Sequence, residues 1–536
     1  MIRISNVHLP LDYDSEIVKA KAAKELRISK NAVESATLFR RSIDARKKDN
    51  IFFLCTVDVK LSINEDAVLR KAKNAVKAKP YEYSVDKWQG GASPLVIGMG
   101  PAGLFAALVL AQSGAKPIVI ERGCDVDKRT ADVNLFWKNG RLNTSSNVQF
   151  GEGGAGTFSD GKLNTGTKDN RQRKILEEFV RNGAPEEILY NAKPHIGTDK
   201  LKTTVKNIRN EIISLGGTVR FETKLTKIKS ENGKITGAVV ESDGKEEIIE
   251  ADSVVLAIGH SARDTFEMLY KEKLPIEPKA FSVGARIEHL RSNIDKAQYG
   301  KFAGNKSLGA STYKMNVHTS NGRGVYTFCM CPGGKVVNAS SEDNMLVVNG
   351  MSEFARDAEN SNSALLVGVN PSDFSSDTPL AGMYFQRELE KSAFLLGGEN
   401  YNAPVQRVDD FLNGKKSLHL GEVTPSIAPN GELSDLNSLF PEFVSDAMKQ
   451  AITEMGQKLK DFDNGDAVLT GVETRSSSPI RILRSPDSLQ SVGLEGLYPC
   501  GEGAGYAGGI ISAAVDGIKC AEMIIKTSFD KKGLKS

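Results

Sequence analysis

The first eighty-odd residues carry short, well-separated apolar patterns. Ile2 to Leu9 reads as a strand, with apolar side chains returning at about every second position, and Ser15 to Leu26 repeats its apolar residues at helical spacing. Ile51 to Leu61 (with FFLCTVDVKL) predicts a second apolar strand. Behind the capping-type Ser62-Ile63-Asn64, the segment Glu65 to Lys77 predicts a basic amphipathic helix. Together these elements predict a small α+β unit over residues 1–88. It is closed by a stretch without pattern, from Lys79-Pro80-Tyr81 to Gly90-Gly91, that reads as a linker.

At Ser93 the pattern changes character. Leu95-Val96-Ile97 is fully apolar, as a central strand of a parallel sheet requires. It runs directly into Gly98-Met99-Gly100-Pro101-Ala102-Gly103 and an Ala/Leu-rich helix to Ser113. A second buried strand, Pro117 to Ile120, then ends at Glu121, followed by Arg122. Strand, glycine turn, helix and strand with a terminal acid form a dinucleotide-binding signature. Gly98 permits the tight turn, Gly100 lets backbone approach a pyrophosphate, and Gly103 lets the helix pack closely on the sheet. The first helical turn, with Pro101 and Ala102, offers N–H groups and a positive dipole end to phosphate. Glu121 can accept the adenosine ribose hydroxyls and would repel a 2′-phosphate.

Two distant segments distinguish FAD from NAD. Thr218 to Glu250 reads as a β-meander, with Leu225 inside it and turns at Asn232-Gly233 and Asp243-Gly244. It leads to the apolar strand Ser253 to Ile258, which ends through Ala257 at Gly259. Near the C-terminus, Leu497 to Cys500 ends in Gly501-Glu502, and Gly508-Gly509 opens a helix at Ile510. A second acid and a second helix N-terminus suit a longer ligand that crosses the sheet. FAD is such a ligand: a carboxylate meets its ribitol hydroxyls and a helix dipole faces the flavin N1/O2 edge.

These segments resemble the glutathione-reductase-type flavoproteins with two dinucleotide-binding domains. The stretches Gln149 to Leu163 (QFGEGGAGTFSDGKL), Ala257 to Thr265 (AIGHSARDT), Phe328 to Gly334 (FCMCPGG) and Thr474 to Arg481 (TRSSSPIR) resemble, more closely, a bacterial family of FAD-dependent proteins labelled "NAD(FAD)-utilizing dehydrogenases". The resemblance implies an α/β fold: a Rossmann-like FAD domain, parallel sheet plus meander, split over residues 92–265 and 465–536. An α+β substrate domain is inserted at 266–464, and the small α+β unit precedes both. It also places Gly153, Gly154, Ala155, Gly156 and Thr157 of the glycine-rich loop against the cofactor. The GxGxxG spacings at Gly151–Gly156 and Gly503–Gly508 do not open a second strand–helix–strand unit, and no CxxC lies near the first helix. A dedicated nicotinamide domain is therefore not expected, and NAD(P)H, if it is the electron donor, visits from the substrate side.

For chemistry beyond the cofactor, the sequence offers alternatives. Cys329 and Cys331 lie two apart on an expected strand and so share a face. A regular strand holds such a pair too far apart for an unstrained disulfide, which favours packing or pocket lining over dithiol chemistry. His260 follows the Ala-Ile-Gly turn and suits either proton transfer or a loop cap. Arg475, close to Ser478, can clamp a substrate carboxylate or close a salt bridge between domains. The expected activity is hydride transfer between an organic substrate and flavin N5.

Composition narrows the classes without choosing among them. The 536 residues are 40% hydrophobic and 26% charged, with mean hydropathy −0.29, the balance of a globular protein of several domains. The net charge is +3, yet residues 1–90 hold 18 Lys/Arg against 12 Asp/Glu. That surplus motivates flavin-dependent RNA modification as an alternative activity, although a charge run such as Arg46-Lys47-Lys48 is more often a solvated turn. A flavin-loaded redox sensor is the alternative outside enzymes. Six cysteines without regular spacing predict neither a disulfide framework nor a metal site. No apolar run approaches membrane-spanning length and no secretory signal is visible, so a cytoplasmic protein without membrane or nucleic-acid partners is expected.

Overall fold

The computed structural model describes residues 1–533 apart from Thr165 and Thr167, with only the backbone described from residue 529 onward. The N-terminal unit is a four-stranded antiparallel sheet in the order Val33–Asp44, Phe52–Leu61, Ile2–Leu9, Ala75–Lys77. Helix Ser15–Leu26 packs Val18, Ala22 and Leu26 into its core. Alternation along Phe52–Leu61 buries Phe53, Cys55, Val57 and Val59 on one face, as the period-two pattern requires. The helix expected over Glu65–Lys77 stops at Leu69, and Ala75–Lys77 is a strand. It pairs with Ile2–Ile4 and so satisfies an edge that a continued helix would leave open.

The second unit is built on a five-stranded parallel sheet. Its order is Leu497–Pro499, Val254–Leu256, Leu95–Ile97, Ile118–Ile120, Thr218–Arg220. Helix Pro101–Ser113 is buried almost all round, because the final helix Ile510–Gly533 and helix Thr198–Ser214 both pack on it. Its Ala/Leu composition fits that position: it carries no polar stripe to expose. The other face carries the antiparallel meander Thr223–Glu231, Lys234–Ser242, Lys245–Glu250. Thr218–Arg220, read as the start of that meander, is instead the outermost strand of the parallel sheet.

The third unit is a seven-stranded sheet covered by helices Ala381–Leu396 and Glu442–Lys458. Its central strands are Gly324–Cys331, Asn360–Val369, Phe281–Leu290 and Val468–Glu473, all antiparallel to their neighbours. The boundaries expected at 265/266 and 464/465 both move. Helix Arg263–Lys271 packs Phe266 and Leu269 against the nucleotide-binding unit, and Val468–Glu473 belongs to the inserted sheet. The chain crosses outward and back through two strands, Ile276–Pro278 and Ile480–Ile482, which pair antiparallel with each other. Among the described residues, no helix is long and apolar enough to cross a membrane.

Candidate functional site

A cleft opens at the C-terminal ends of the parallel strands, where ligands of open α/β sheets bind, with the inserted sheet forming its far wall. Gly98, Gly100, Pro101, Ala102, Glu121 and Arg122 line one end. Gly154, Ala155, Gly156, Leu225, Ala257 and Gly259 line the middle, and Glu502, Gly508, Gly509 and Ile510 line the other end.

The glycines divide by what confines them. At Gly98, where φ is +95°, a Cβ would lie 2.3 Å from the Ala257 carbonyl oxygen. At Gly103 it would lie 1.8 Å from the Gly98 oxygen, so both glycines are required by the fold itself. A Cβ on Gly100 would meet protein only at 3.7 Å, and one on Gly259, Gly508 or Gly509 would meet nothing within 4 Å. Gly259, at φ +73°, is glycine for its backbone conformation, but Gly100, Gly508 and Gly509 line the cleft bare with neither a left-handed φ nor a protein atom to demand it, as backbone that admits a bound group must be. Helix Pro101–Ser113 has no side-chain N-cap, so its first-turn N–H groups are free for phosphate.

Glu121 is held more tightly than the sequence suggests. Its carboxylate accepts hydrogen bonds from the backbone N–H of Met99, Gly123 and Gly151, each at 2.9 Å. A carboxylate has about four lone-pair positions, so about one is left for a ribose hydroxyl. We expect Glu121→Gln to weaken FAD retention and the loop together. Whichever way the amide sits, its NH2 faces a backbone donor, and an unsatisfied buried pair costs about 1–3 kcal/mol. Urea denaturation of the FAD-free variant checks this: unchanged stability would show that the three N–H contacts do not hold the loop.

Some residues expected at the cofactor lie behind the cleft wall. Gly103 serves packing. Thr157 is buried and its hydroxyl donates to the Glu152 carbonyl, and the Gly153 N–H donates to the Met99 carbonyl. The Gly501 N–H is taken by Asp516 at 2.7 Å. Arg122 pairs with Asp264 at 2.9 Å and lies over the Phe150 ring, so it walls the cleft at the Glu121 end.

The five residues singled out for catalysis separate as well. Ser478 is fully buried and donates to the Gly503 carbonyl at 3.1 Å, outside the cleft; Ser476 lines it instead. Arg475 reaches the cleft, but its donors are engaged. It pairs with both oxygens of Glu390, at 3.0 and 2.7 Å, and bonds Ser261 and Ser341. Its ion pair with Glu390 lies within the inserted unit, and its hydrogen bond to Ser261 is what reaches the nucleotide-binding unit. His260 lines the cleft with its ring nitrogen 3.0 Å from the Ser261 hydroxyl. Burial, with the charges of Arg475 and Arg263, pushes it down to about 3, so it is a neutral hydrogen-bonding group rather than a proton donor at neutral pH.

Cys329 lines the cleft while Cys331 is fully buried behind it. They do not sit on a regular strand. Pairing with Asn360–Val369 runs to Phe328↔Ala364 and resumes at Cys331↔Asn362, a one-residue bulge with Cys329 at φ +41°.

Two acids at the cleft have unusual environments. Burial pushes Glu473 up to about 7 although Arg286 lies 3.1 Å away. Burial also pushes Glu502 up to about 7, with Lys279 opposing it, and among the described residues no hydrogen bond to its carboxylate is found. Glu502 was expected from its place at a strand end. Glu473 ends the buried strand Val468–Glu473 in the same way, and Arg286 interrupts a fully buried run in Phe281–Leu290. An acid closing an apolar strand is the signal that would have found the first; Phe281–Leu290 also carries Ser282, Glu288 and His289, so nothing local singles out Arg286.

Comparisons with known proteins follow this division of the chain. Residues 93–265 match the family described as pyridine nucleotide-disulphide oxidoreductase. Residues 280–476 match "FAD-dependent protein, C-terminal domain-like", and residues 1–60 match a domain of unknown function. A protein of Clostridium beijerinckii, described as uncharacterized, is 50% identical over 98% of both chains. Among solved structures, a flavoprotein/dehydrogenase from Cytophaga hutchinsonii is 14% identical, with 82% and 79% of the two chains covered and a TM-score of 0.37. A geranylgeranyl bacteriochlorophyll reductase-like protein from Thermoplasma acidophilum is also 14% identical, with 84% and 80% covered and a TM-score of 0.36. Likenesses that distant say nothing about activity. The near-full-length relative and the two matched domains do establish the family: the chain belongs to the FAD-dependent proteins that join an oxidoreductase-type nucleotide-binding domain to this C-terminal domain, and its cofactor is FAD.

Proposed function

We propose that the protein is an FAD-dependent oxidoreductase that transfers a hydride between a small organic substrate and flavin N5. The observation that carries this reading is the bare backbone at Gly100, Gly508 and Gly509, together with the Glu502 carboxylate, for which no hydrogen bond is found among the described residues. The first-turn N–H groups after Gly100 would bind the pyrophosphate, with Glu121 at the ribose and Glu502 at the ribitol hydroxyls. The N-terminus of the final helix would face the pyrimidine edge of the ring. Bound FAD supplies the electron-pair chemistry.

The chain's own contribution is orientation, exclusion of water and proton handling. The bulged strand around Phe328 and Cys329 covers the cleft from the inserted unit and would keep water from the ring. Burial pushes Glu473 up to about 7, which suits a group that gives and takes a proton during turnover. Substrate and, in this reading, a visiting NAD(P)H enter from the side of the inserted sheet.

The test is direct. The purified protein should be yellow and release FAD, rather than FMN, on denaturation. Mixed anaerobically with NADH and NADPH separately, it should lose absorbance near ~450 nm with at least one of them. A protein that takes up no FAD refutes the reading of the cleft. One that binds FAD and is bleached by neither nucleotide refutes the nicotinamide donor.

A further inference from the structure

We propose that Cys329 and Cys331 form a redox-active dithiol–disulfide centre at the flavin cleft, with Cys329 as the nucleophile and Cys331 as the resolving thiol. The proposal rests on the reading that FAD occupies this cleft, and adds to it a second two-electron centre.

The bulge makes the pairing feasible. On a regular strand two such residues stand about 6.6 Å apart along the axis with parallel side chains. Here the bulge at the left-handed Cys329 breaks that regular spacing before pairing resumes at Cys331. The Cys331 S–H donates to the Cys329 carbonyl oxygen at 3.3 Å, which holds the Cys331 sulfur against the residue it would pair with. Both cysteines are free thiols in this structure. Cys329 is partly exposed to the cleft and Cys331 is buried, the asymmetry expected of an attacking and a resolving thiol.

The surroundings favour a thiolate at Cys329. Arg286 donates to the Cys329 carbonyl at 2.8 Å and sits 3.7 Å from the Cys331 sulfur. Lys162, from the glycine-rich loop, binds the carbonyl of Met330 between them and pairs with Asp160 at 3.0 Å. The hydrogen bond from Cys331, then the charges of Lys162 and Arg286, hold Cys329 well below an ordinary thiol, while burial and Asp160 oppose them. Glu473 and Glu502 are the other titratable groups that feel Cys329, and Cys331 is pushed upward as the proton donor of the pair. Cys329 and Glu502 line the same cleft, where the flavin is expected.

The step balances with the flavin as partner. The Cys329 thiolate and the Cys331 thiol become a disulfide: the S–S bond forms and the Cys331 S–H bond breaks. Two electrons and that proton pass to the oxidised ring, a hydride equivalent in all. The reverse step cleaves the disulfide at the expense of reduced flavin.

Anaerobic titration of the FAD-loaded protein with dithionite tests the proposal. The air-oxidised wild type should take up two electron pairs per flavin, and Cys329→Ser and Cys331→Ser one each. Cys500 and Cys520 are unchanged in both variants, so the difference reports the pair alone. A second measurement uses iodoacetamide on the reduced, FAD-stripped protein, read by peptide mass spectrometry across pH. Cys329 should alkylate with a midpoint well below the ~8.5 of a free thiol, and Cys331→Ala should raise that midpoint by removing the donor. A protein that binds FAD but takes up one pair, with Cys329 alkylating like a free thiol, overturns this proposal and leaves the reading of the cleft standing. A protein that binds no FAD overturns both.

Discussion

Gly100→Val should give a folded protein that no longer holds FAD. A Cβ on Gly100 meets protein only at 3.7 Å and the backbone there is extended, with φ −72°, so the fold accepts the side chain. The branched carbons instead occupy the space in front of the free N–H groups of helix Pro101–Ser113, where phosphate must come closest. We expect FAD affinity to fall on the order of 100-fold, about 2.7 kcal/mol, while the thermal stability of the FAD-free protein is essentially kept. Gly103→Ala provides the contrast: its Cβ would overlap the Gly98 carbonyl oxygen at 1.8 Å, so the unit should fail to fold. Equilibrium dialysis against FAD, with a melt of the stripped protein, checks both. Full FAD retention by Gly100→Val would move the pyrophosphate away from this turn.

Removing Glu390, which lies buried behind the cleft wall, should strongly destabilise the protein. Its carboxylate is fully buried and bonds Arg263 at 2.7 Å, Arg475 at 2.7 Å and the Thr474 hydroxyl at 2.5 Å. Glu390→Ala leaves two buried guanidinium groups short of a counter-charge, a loss of the order of 3–5 kcal/mol. Arg475→Met should cost less, because Glu390 then keeps Arg263. Burial alone would raise the Glu390 carboxyl, but Arg263 and Arg475 hold it far below its ordinary 4.5. Its contribution is therefore full above pH 4.5 and shrinks as the pH falls toward the lower folded value. The gap between wild type and Glu390→Ala in urea denaturation should narrow in acid. A gap of under about 1 kcal/mol at neutral pH would mean that the arginines find other partners.

The same network explains why the role of Arg475 could not be read from Thr474 to Arg481. Its partner lies on helix Ala381–Leu396, 85 residues away, and nothing local distinguishes an arginine awaiting a substrate from one already paired. The cysteine pair shows the complementary limit. The CxC spacing is visible, but the objection to dithiol chemistry assumed a regular strand, and the bulge that removes it is set by register against Asn360–Val369.

The sequence by itself determined the nucleotide-binding half. Leu95–Ile97, the glycine turn, helix Pro101–Ser113, Ile118–Ile120 and Glu121 are contiguous, and the constraints on them are local: a tight turn, a close helix, an acid at a strand end. Leu497–Pro499, Glu502 and the helix from Ile510 repeat that logic far down the chain. Only the tertiary structure decided where the domains divide, since Val468–Glu473 is an apolar strand that either sheet could have taken. It also decided which of the residues pointing to chemistry reach the cleft. Ser478 is turned inward to the Gly503 carbonyl, Arg475 is neutralised by Glu390, and Cys329 lines the cleft, half-buried, beside Lys162 and Arg286. The charge state of a buried group depends on which distant side chains share its low-dielectric surroundings, and that information is absent from any local stretch of sequence.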